Sequence, residues 1–107
     1  MTLDEFFTEL ESIKEKFNWK KLKFAGRTCI IRGVVEPIAP CFCPITAVVM
    51  NKTGEYYNTG ETYQAGSDIG LSRGQISDIV RAADYDIIYL DGDRLNIRKK
   101  MEQILGV

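Results

Sequence analysis

The chain has 107 residues, of which 45% are hydrophobic and 27% are charged, and its net charge is −1. This balance is typical of an ordinary globular protein and excludes a disordered one. The near-neutral charge creates no field that would draw the whole protein to nucleic acid or to a membrane. We expect one domain over residues 1–107, because a chain of this length buries roughly 65% of its unfolded surface in a single core.

Nothing in the sequence predicts secretion or insertion into a membrane. The longest mostly apolar run, residues 39–50, contains Pro40 and Pro44 and is too short to span a bilayer. The chain starts with an acidic amphipathic segment, whereas a signal peptide has a basic and then an apolar region. The three cysteines are an odd number without a regular spacing, which favours reduced thiols. We therefore expect a cytoplasmic protein.

The first predicted element is a helix that begins after Thr2 and ends at Asn18. Thr2 and Glu5 have the spacing of a capping box. Asp4 and Glu5 lie at the positive end of the helix dipole, which favours acidic side chains. Apolar residues recur on one helical face, and we expect that face to join the core: Leu3, Phe6, Phe7, Leu10, Ile13 and Phe17.

The next predicted element is a β-hairpin. Residues 19–24 and 28–35 are typical of strands, and the second run is rich in β-branched residues. Ala25 and Gly26 lie between them and predict the turn. Pro37 and Pro40 then indicate a loop.

The segment after this loop is compatible with two structures. Pro44 favours the start of a helix, because the missing N–H of proline costs nothing in the first helical turn. Residues 45–50 are mostly β-branched or apolar, so a strand is an alternative. Residues 51–62 are polar and contain glycine, which predicts a surface loop.

Residues 66–81 have the spacing of a helix-turn-helix, and they are the most specific pattern in the chain. Gly66 allows two helices to approach closely, Gly70 can adopt positive φ at the corner, and Ser72 can cap the second helix. We expect helices at about 62–69 and 73–83, with the second as the recognition helix if the protein reads DNA. The same spacing is also typical of two packed helices that have a structural role and do not bind DNA. The pattern is carried by Gly66, Gly70, Leu71, Ser72, Ile76 and Ile79.

The end of the chain predicts a final helix, which Asp93 can cap and which runs through Leu105 to Gly106. The alternative takes Asp91 and Gly92 as a tight hairpin turn that would add a β-wing. We prefer the helix because the apolar residues keep helical spacing. The predicted fold class is therefore α+β: a mostly helical single domain with an N-terminal helix, one β-hairpin and a cluster of short helices.

Three short motifs resemble small uncharacterised proteins of bacteria and their phages. The motifs are Cys-Pro-Ile-Thr-Ala-Val at residues 43–48, Gly-Leu-Ser at 70–72 and Ala-Ala-Asp at 82–84. The resemblance covers roughly residues 43–84. It implies a shared small fold and a mobile-element context, and it carries over no catalytic residue.

Candidate nucleic-acid-binding residues fall into two groups. Arg73 and Gln75 have side chains that can read guanine and adenine edges, and Arg81 can project from the same helix. A basic segment without any acid lies between residues 18 and 33 and can hold phosphates, although it is also typical of a solvated strand. Its cations are Lys20, Lys21, Lys23, Arg27 and Arg32.

The charges of the helix pair argue against nucleic-acid binding. Between residues 61 and 84 there are four acids and only two basic residues, and a negative surface repels phosphates. The acids are Glu61, Asp68, Asp78 and Asp84.

Cysteines and carboxylates offer only weak candidate sites. Cys29, Cys41 and Cys43 form a possible thiol cluster, but the chain has no histidine to complete a zinc site or to act as a catalytic base. Buried apolar thiols are the simpler interpretation. The aspartates at residues 84–93 lack the ligand spacing of a calcium loop, and helix capping explains them. We therefore expect no metal, no cofactor and no catalytic residue.

These observations favour a non-catalytic binding or regulatory protein of bacterial or phage type, with a protein partner. Two rivals stay open: a helix-turn-helix protein that binds nucleic acid, and a small thiol- or carboxylate-dependent enzyme. A homo-oligomer is compatible with all three, and a membrane partner is not expected.

Overall fold

A computed structural model describes residues 1–14, 17–19, 31–33, 41–42, 44–54 and 61–106 of the chain. In the three shortest ranges, which are β-strands, only the backbone is described. The helices are α1 (Leu3–Ile13), α2 (Pro44–Thr53), α3 (Thr62–Asp68), α4 (Arg73–Asp84) and α5 (Gly92–Leu105), with a 3₁₀ turn at Ile87–Tyr89 between α4 and α5.

Helix α1 forms as its sequence predicts but ends earlier. The backbone N–H of Glu5 donates to Thr2 Oγ1 at 3.1 Å, and the backbone N–H of Thr2 donates to Glu5 Oε1 at 2.8 Å, which completes the capping box. The bond from the backbone N–H of Thr2 stabilises the carboxylate and, together with the Thr2 side chain, holds the pKa of Glu5 below its usual value. The helix ends at Ile13, whereas the apolar stripe predicted an end at Asn18. Its buried residues are Phe6, Leu10 and Ile13.

Helix α2 is the centre of the fold. It begins at Pro44, as the proline predicted, and its first six residues are all buried. A helix that is surrounded by protein needs no polar face, so its sequence shows no amphipathic period. The β-branched run at residues 45–50 is therefore helical, because burial outweighs the weaker helix propensity of those residues. The polar segment predicted as a loop starts later than expected, since α2 continues to Thr53.

The other helices pack around α2. Helix α2 contacts α1, α3 and α4, while α5 packs against α4 and α1. The ammonium group of Lys52 on α2 lies 3.1 Å from Glu9 on α1, which adds a surface ion pair to this packing. One cluster of buried side chains joins all five helices; its largest members are Phe6, Leu10, Ile13, Ile45, Ile76, Ile79 and Met101.

The predicted α+β class with one β-hairpin is wrong. Where side chains are described, 82% of the residues are helical and none lies in a strand. The backbone of β1 (Phe17–Trp19), β2 (Ile31–Gly33) and β3 (Cys41–Phe42) forms a small antiparallel sheet in the order β1-β2-β3, with Trp19 opposite Ile31 and Arg32 opposite Cys41. Strands of two or three residues cannot form a layer that covers a core. The predicted turn at residues 25–26 lies outside the described residues.

The final helix is confirmed and the β-wing is wrong. Helix α5 begins directly at Gly92, so Asp91 and Gly92 do not form a hairpin turn. Asp91 occupies the N-cap position without a side-chain hydrogen bond, and Asp93 lies in the first turn instead of capping it. Gly106 ends the helix with φ +74°, a conformation that glycine adopts without strain.

Among the described residues, no helix has both the length and the apolar character needed to cross a membrane. The longest of them, α5, has 14 residues, whereas a span needs about 20.

Replacing Leu10 by Ala tests the packing of α1 on the core. Leu10 is fully buried, so the truncation should lower the free energy of unfolding by about 2–5 kcal/mol through lost transfer energy and the cavity left behind. The same truncation at Leu3, which is half-buried on the same helix, is the matched control and should cost less. Urea titration measures both, and equal losses would contradict the packing described.

Candidate nucleic-acid interface

The corner between α3 and α4 has the length and conformation of a helix-turn-helix. Four residues separate Asp68 from Arg73, within the range typical of this motif. Gly70 adopts φ +87°, as predicted, and its backbone N–H donates to the carbonyl oxygen of Ser67 at 3.0 Å. The backbone N–H of Leu71 donates to the carbonyl oxygen of Gly66 at 3.0 Å, and its side chain is buried. The corner is therefore closed by hydrogen bonds and anchored in the core.

Gly66 allows α3 to lie directly against α4. A Cβ atom at this position would be 2.6 Å from both Cγ1 and Cδ1 of Ile76, closer than real carbon atoms approach. It would also be 3.5 Å from Cγ2 of Ile45 on α2. Three helices meet at this point, and the absence of a side chain at position 66 lets them do so.

Ser72 caps α4, and Gln75 completes the cap. The backbone N–H of Gln75 donates to Ser72 Oγ at 3.1 Å, and the backbone N–H of Ser72 donates to Gln75 Oε1 at 2.7 Å. The predicted cap at Ser72 is confirmed. Gln75 would have to give up this bond to read an adenine edge with its whole amide group, and its role as a base reader stays a prediction.

One face of α4 is fixed to the core and the opposite face points to solvent. Ile76, Ile79, Ala82 and Ala83 are buried, while Val80, which lies beside them, is only partly buried. The opposite side, which we call the outward face, consists of Arg73, Gly74, Ser77, Asp78 and Arg81, all of them exposed or half-buried.

The two arginines of the outward face differ in their surroundings. The guanidinium of Arg73 lies 5.0 Å from the centre of the Tyr63 ring, a cation–π contact that positions it at the start of α4. Arg81 lies two turns further along and is exposed. Gly74 is also exposed, and a Cβ there would contact only Ser72 Oγ, at 4.0 Å. A ligand can therefore approach the α4 backbone closely between these side chains.

An ion pair offsets the acid of the outward face. Arg94 Nε on α5 donates to Asp78 Oδ1 at 2.9 Å, and both side chains are partly exposed. On α3, Asp68 accepts a hydrogen bond from Gln64 Nε2 at 2.8 Å. Arg94 therefore offsets the charge of Asp78 on the outward face, whereas Asp68 keeps its charge because Gln64 is neutral.

The other predicted site residues cannot be placed beside this face. Lys20, Lys21, Lys23 and Arg27 lie outside the described residues, as do Cys29 and Cys43. Arg32 and Cys41 oppose each other in β2 and β3, where only the backbone is described. The basic segment and the thiol cluster therefore stay predictions.

Arg98 is a buried cation that sequence analysis did not single out. Only 4% of it is exposed, and one guanidinium nitrogen donates to the carbonyl oxygens of Ala82 at 2.9 Å and Tyr85 at 2.8 Å. Its Nε donates to Glu102 at 3.2 Å. Arg98 thus satisfies carbonyl groups at the end of α4, where the helix dipole favours a positive charge. The only signal in the sequence is an arginine between the apolar positions Ile97 and Met101.

A shallow groove of about 580 Å³ lies between α1 and α5. Phe7 and Ile104 line it together with polar side chains, and Lys14 at its edge forms an ion pair with Glu11 at 3.1 Å. Within the described ranges, no three acidic or cysteine side chains are close enough to hold a metal ion.

Comparison with protein-family models, with curated proteins and with solved structures gave no match. The resemblance to small bacterial and phage proteins therefore stays a prediction.

Gly66→Ala tests the close approach of α3 and α4. The added methyl group must displace Ile76, so we expect a loss of about 1–3 kcal/mol in the free energy of unfolding. Ile76→Val removes Cδ1, one of the two carbon atoms at 2.6 Å, and should recover part of that loss in the double variant. Gly74→Ala, on the exposed side of α4, is the control and should be neutral or stabilising by up to about 1 kcal/mol. Additive losses at positions 66 and 76 in a denaturant titration would contradict the contact.

Proposed function

We propose that the chain is a non-catalytic DNA-binding protein of helix-turn-helix type that inserts α4 into the major groove. The observation that carries the proposal is the outward face of α4, which is presented by a corner of the right length and contains two arginines around an exposed glycine. In helix-turn-helix proteins the second helix enters the groove with its first residues next to base edges. The proposal places the protein in the cytoplasm, the compartment that holds bacterial DNA.

Arg73, Ser77 and Arg81 are the proposed contact residues. They are spaced four apart and therefore share one side of α4. Arg73, in the first turn, has the donors to bind guanine O6 and N7, and the hydroxyl of Ser77 can donate to or accept from several bases. Arg81 lies further from the start of the helix and is suited to a phosphate. Ser77 replaces Gln75 in the set predicted from sequence, since Gln75 is committed to the cap.

Charge supports the proposal locally, although the whole chain is nearly neutral. Arg94 lies 2.9 Å from Asp78, so the outward face of α4 keeps Arg73 and Arg81 as its net positive groups. Two cations supply only a small part of the phosphate contacts that duplex binding needs. The remaining contacts are predicted, from the sequence alone, to come from the basic segment with Lys20, Lys21, Lys23, Arg27 and Arg32.

Selection from a pool of random duplexes at low salt, followed by affinity measurements, tests the proposal. Arg73→Ala should relax the preference at one base pair and cost about 1–3 kcal/mol on the selected duplex, with less effect on random duplexes. Lys100→Ala is the matched control, because it removes the same charge from an exposed residue at the α1–α5 groove and should change neither affinity nor preference. Thermal unfolding of both variants checks that the fold is retained.

Two outcomes would contradict the proposal. One is a pool from which no duplex is retained even at low salt. The other is equal loss of affinity in Arg73→Ala and Lys100→Ala, which would mean that binding depends on net charge and not on α4.

A further inference from the structure

The segment between α4 and α5 exposes a group of large apolar side chains. Ile88 is 79% exposed and Tyr89 is 71% exposed, with Tyr85 and Ile87 nearly half exposed beside them. Single exposed apolar residues are common, but four of them within five residues of sequence concentrate apolar surface, and such surface often marks a protein interface. The outward face of α4 does not include this group, which we call the α4–α5 patch.

Hydrogen bonds fix the backbone at both ends of the α4–α5 patch. At its first residue, Arg98 donates to the carbonyl oxygen of Tyr85 at 2.8 Å. After it, Leu90 is buried, and its backbone N–H donates to the carbonyl oxygen of Ile87 at 3.1 Å. A backbone that is already held by hydrogen bonds loses little conformational entropy when the segment binds a partner, which favours affinity.

The charges around the patch indicate the kind of partner that fits it. Residues 84–93 contain four aspartates and no lysine or arginine. Asp91 and Asp93 are exposed on the α5 side, and Asp86 is half-buried next to the 3₁₀ turn. Two copies of the patch facing each other would bring these carboxylates together, which is unfavourable, whereas a cationic partner would complement them.

We propose that the α4–α5 patch binds a basic segment of a partner protein that carries a large aliphatic or aromatic anchor. The anchor packs on Ile88 and Tyr89, and flanking lysines or arginines pair with Asp91 and Asp93. The patch is distinct from the base-reading end of α4, because the first turn of α4 lies about 17 Å along the helix axis from the residues that lead into the patch. The proposed phosphate contact Arg81 is nearer, four residues before Tyr85.

Selection of a displayed random-peptide library on the intact protein tests this proposal. We expect selected peptides to combine lysine or arginine with at least one large apolar residue. Ile88→Ser should weaken the binding of a selected peptide about tenfold or more, as loss of a central apolar contact does. The pair Asp91→Asn and Asp93→Asn should weaken it severalfold and reduce its salt dependence. Asp4→Asn, an exposed aspartate on α1, is the matched control and should have no effect.

Three results would overturn the proposal. The first is the absence of any peptide whose binding depends on Ile88, and the second is a selected set without cationic residues. The third is a dimer in sedimentation equilibrium that Ile88→Ser dissociates, because the patch would then bind a second copy of the chain. Binding of the Ile88→Ser variant to duplex DNA, which should be unchanged, separates this test from that of the proposed function.

Discussion

The contact between Gly66 and Ile76 is the constraint on which the arrangement of the helices depends. Because position 66 has no side chain, Ile76 packs directly on the backbone of α3. Ile45 of α2 packs at the same point. Interiors are packed so densely that a single methyl group here must move a neighbour. The contact fixes α4 relative to α3, and it thereby decides which side chains of α4 face the solvent.

Different side chains satisfy the backbone groups at the two ends of α4, and an exposed surface adjoins each end. At the start, the capping box of Ser72 and Gln75 satisfies backbone N–H groups and leaves Arg73 exposed. At the end, Arg98 satisfies two carbonyl groups from a buried position. Burying a guanidinium is costly unless it is hydrogen-bonded, and its bonds to Ala82, Tyr85 and Glu102 offset that cost. The same residue therefore stabilises α4 and holds the segment that exposes Ile88.

Local spacing in the sequence was enough to predict the elements that depend on local interactions. The capping box at Thr2, the positive φ of Gly70, the cap at Ser72 and the end of α5 at Gly106 are all determined within a few residues. Buried residues at helical spacing, such as Leu10 and Ile79, follow from the same periodicity. For these elements, pattern and capping rules were sufficient.

Features that depend on distant parts of the chain were missed or predicted wrongly. The first six residues of α2 are all buried, so their sequence lacks the period that separates helix from strand. The α+β prediction gave the sheet too much weight, because β-branched residues indicate strand propensity but not whether a sheet covers the core. Asp78 pairs with Arg94, sixteen residues later, and Arg98 reaches back to the end of α4. Neither contact has a signature in local spacing, so the charge of the candidate interface could not be judged from sequence.

The most direct test of the account is a titration of the isotope-labelled protein with random-sequence duplex DNA at low salt, followed by amide NMR spectra. The account predicts that the largest chemical-shift changes among the described residues fall within residues 70–81, at the corner and along α4. It predicts no change at the groove between α1 and α5, which includes Phe7 and Ile104. A spectrum that does not change, or changes centred on that groove, would contradict the assignment of α4 as a DNA-binding helix.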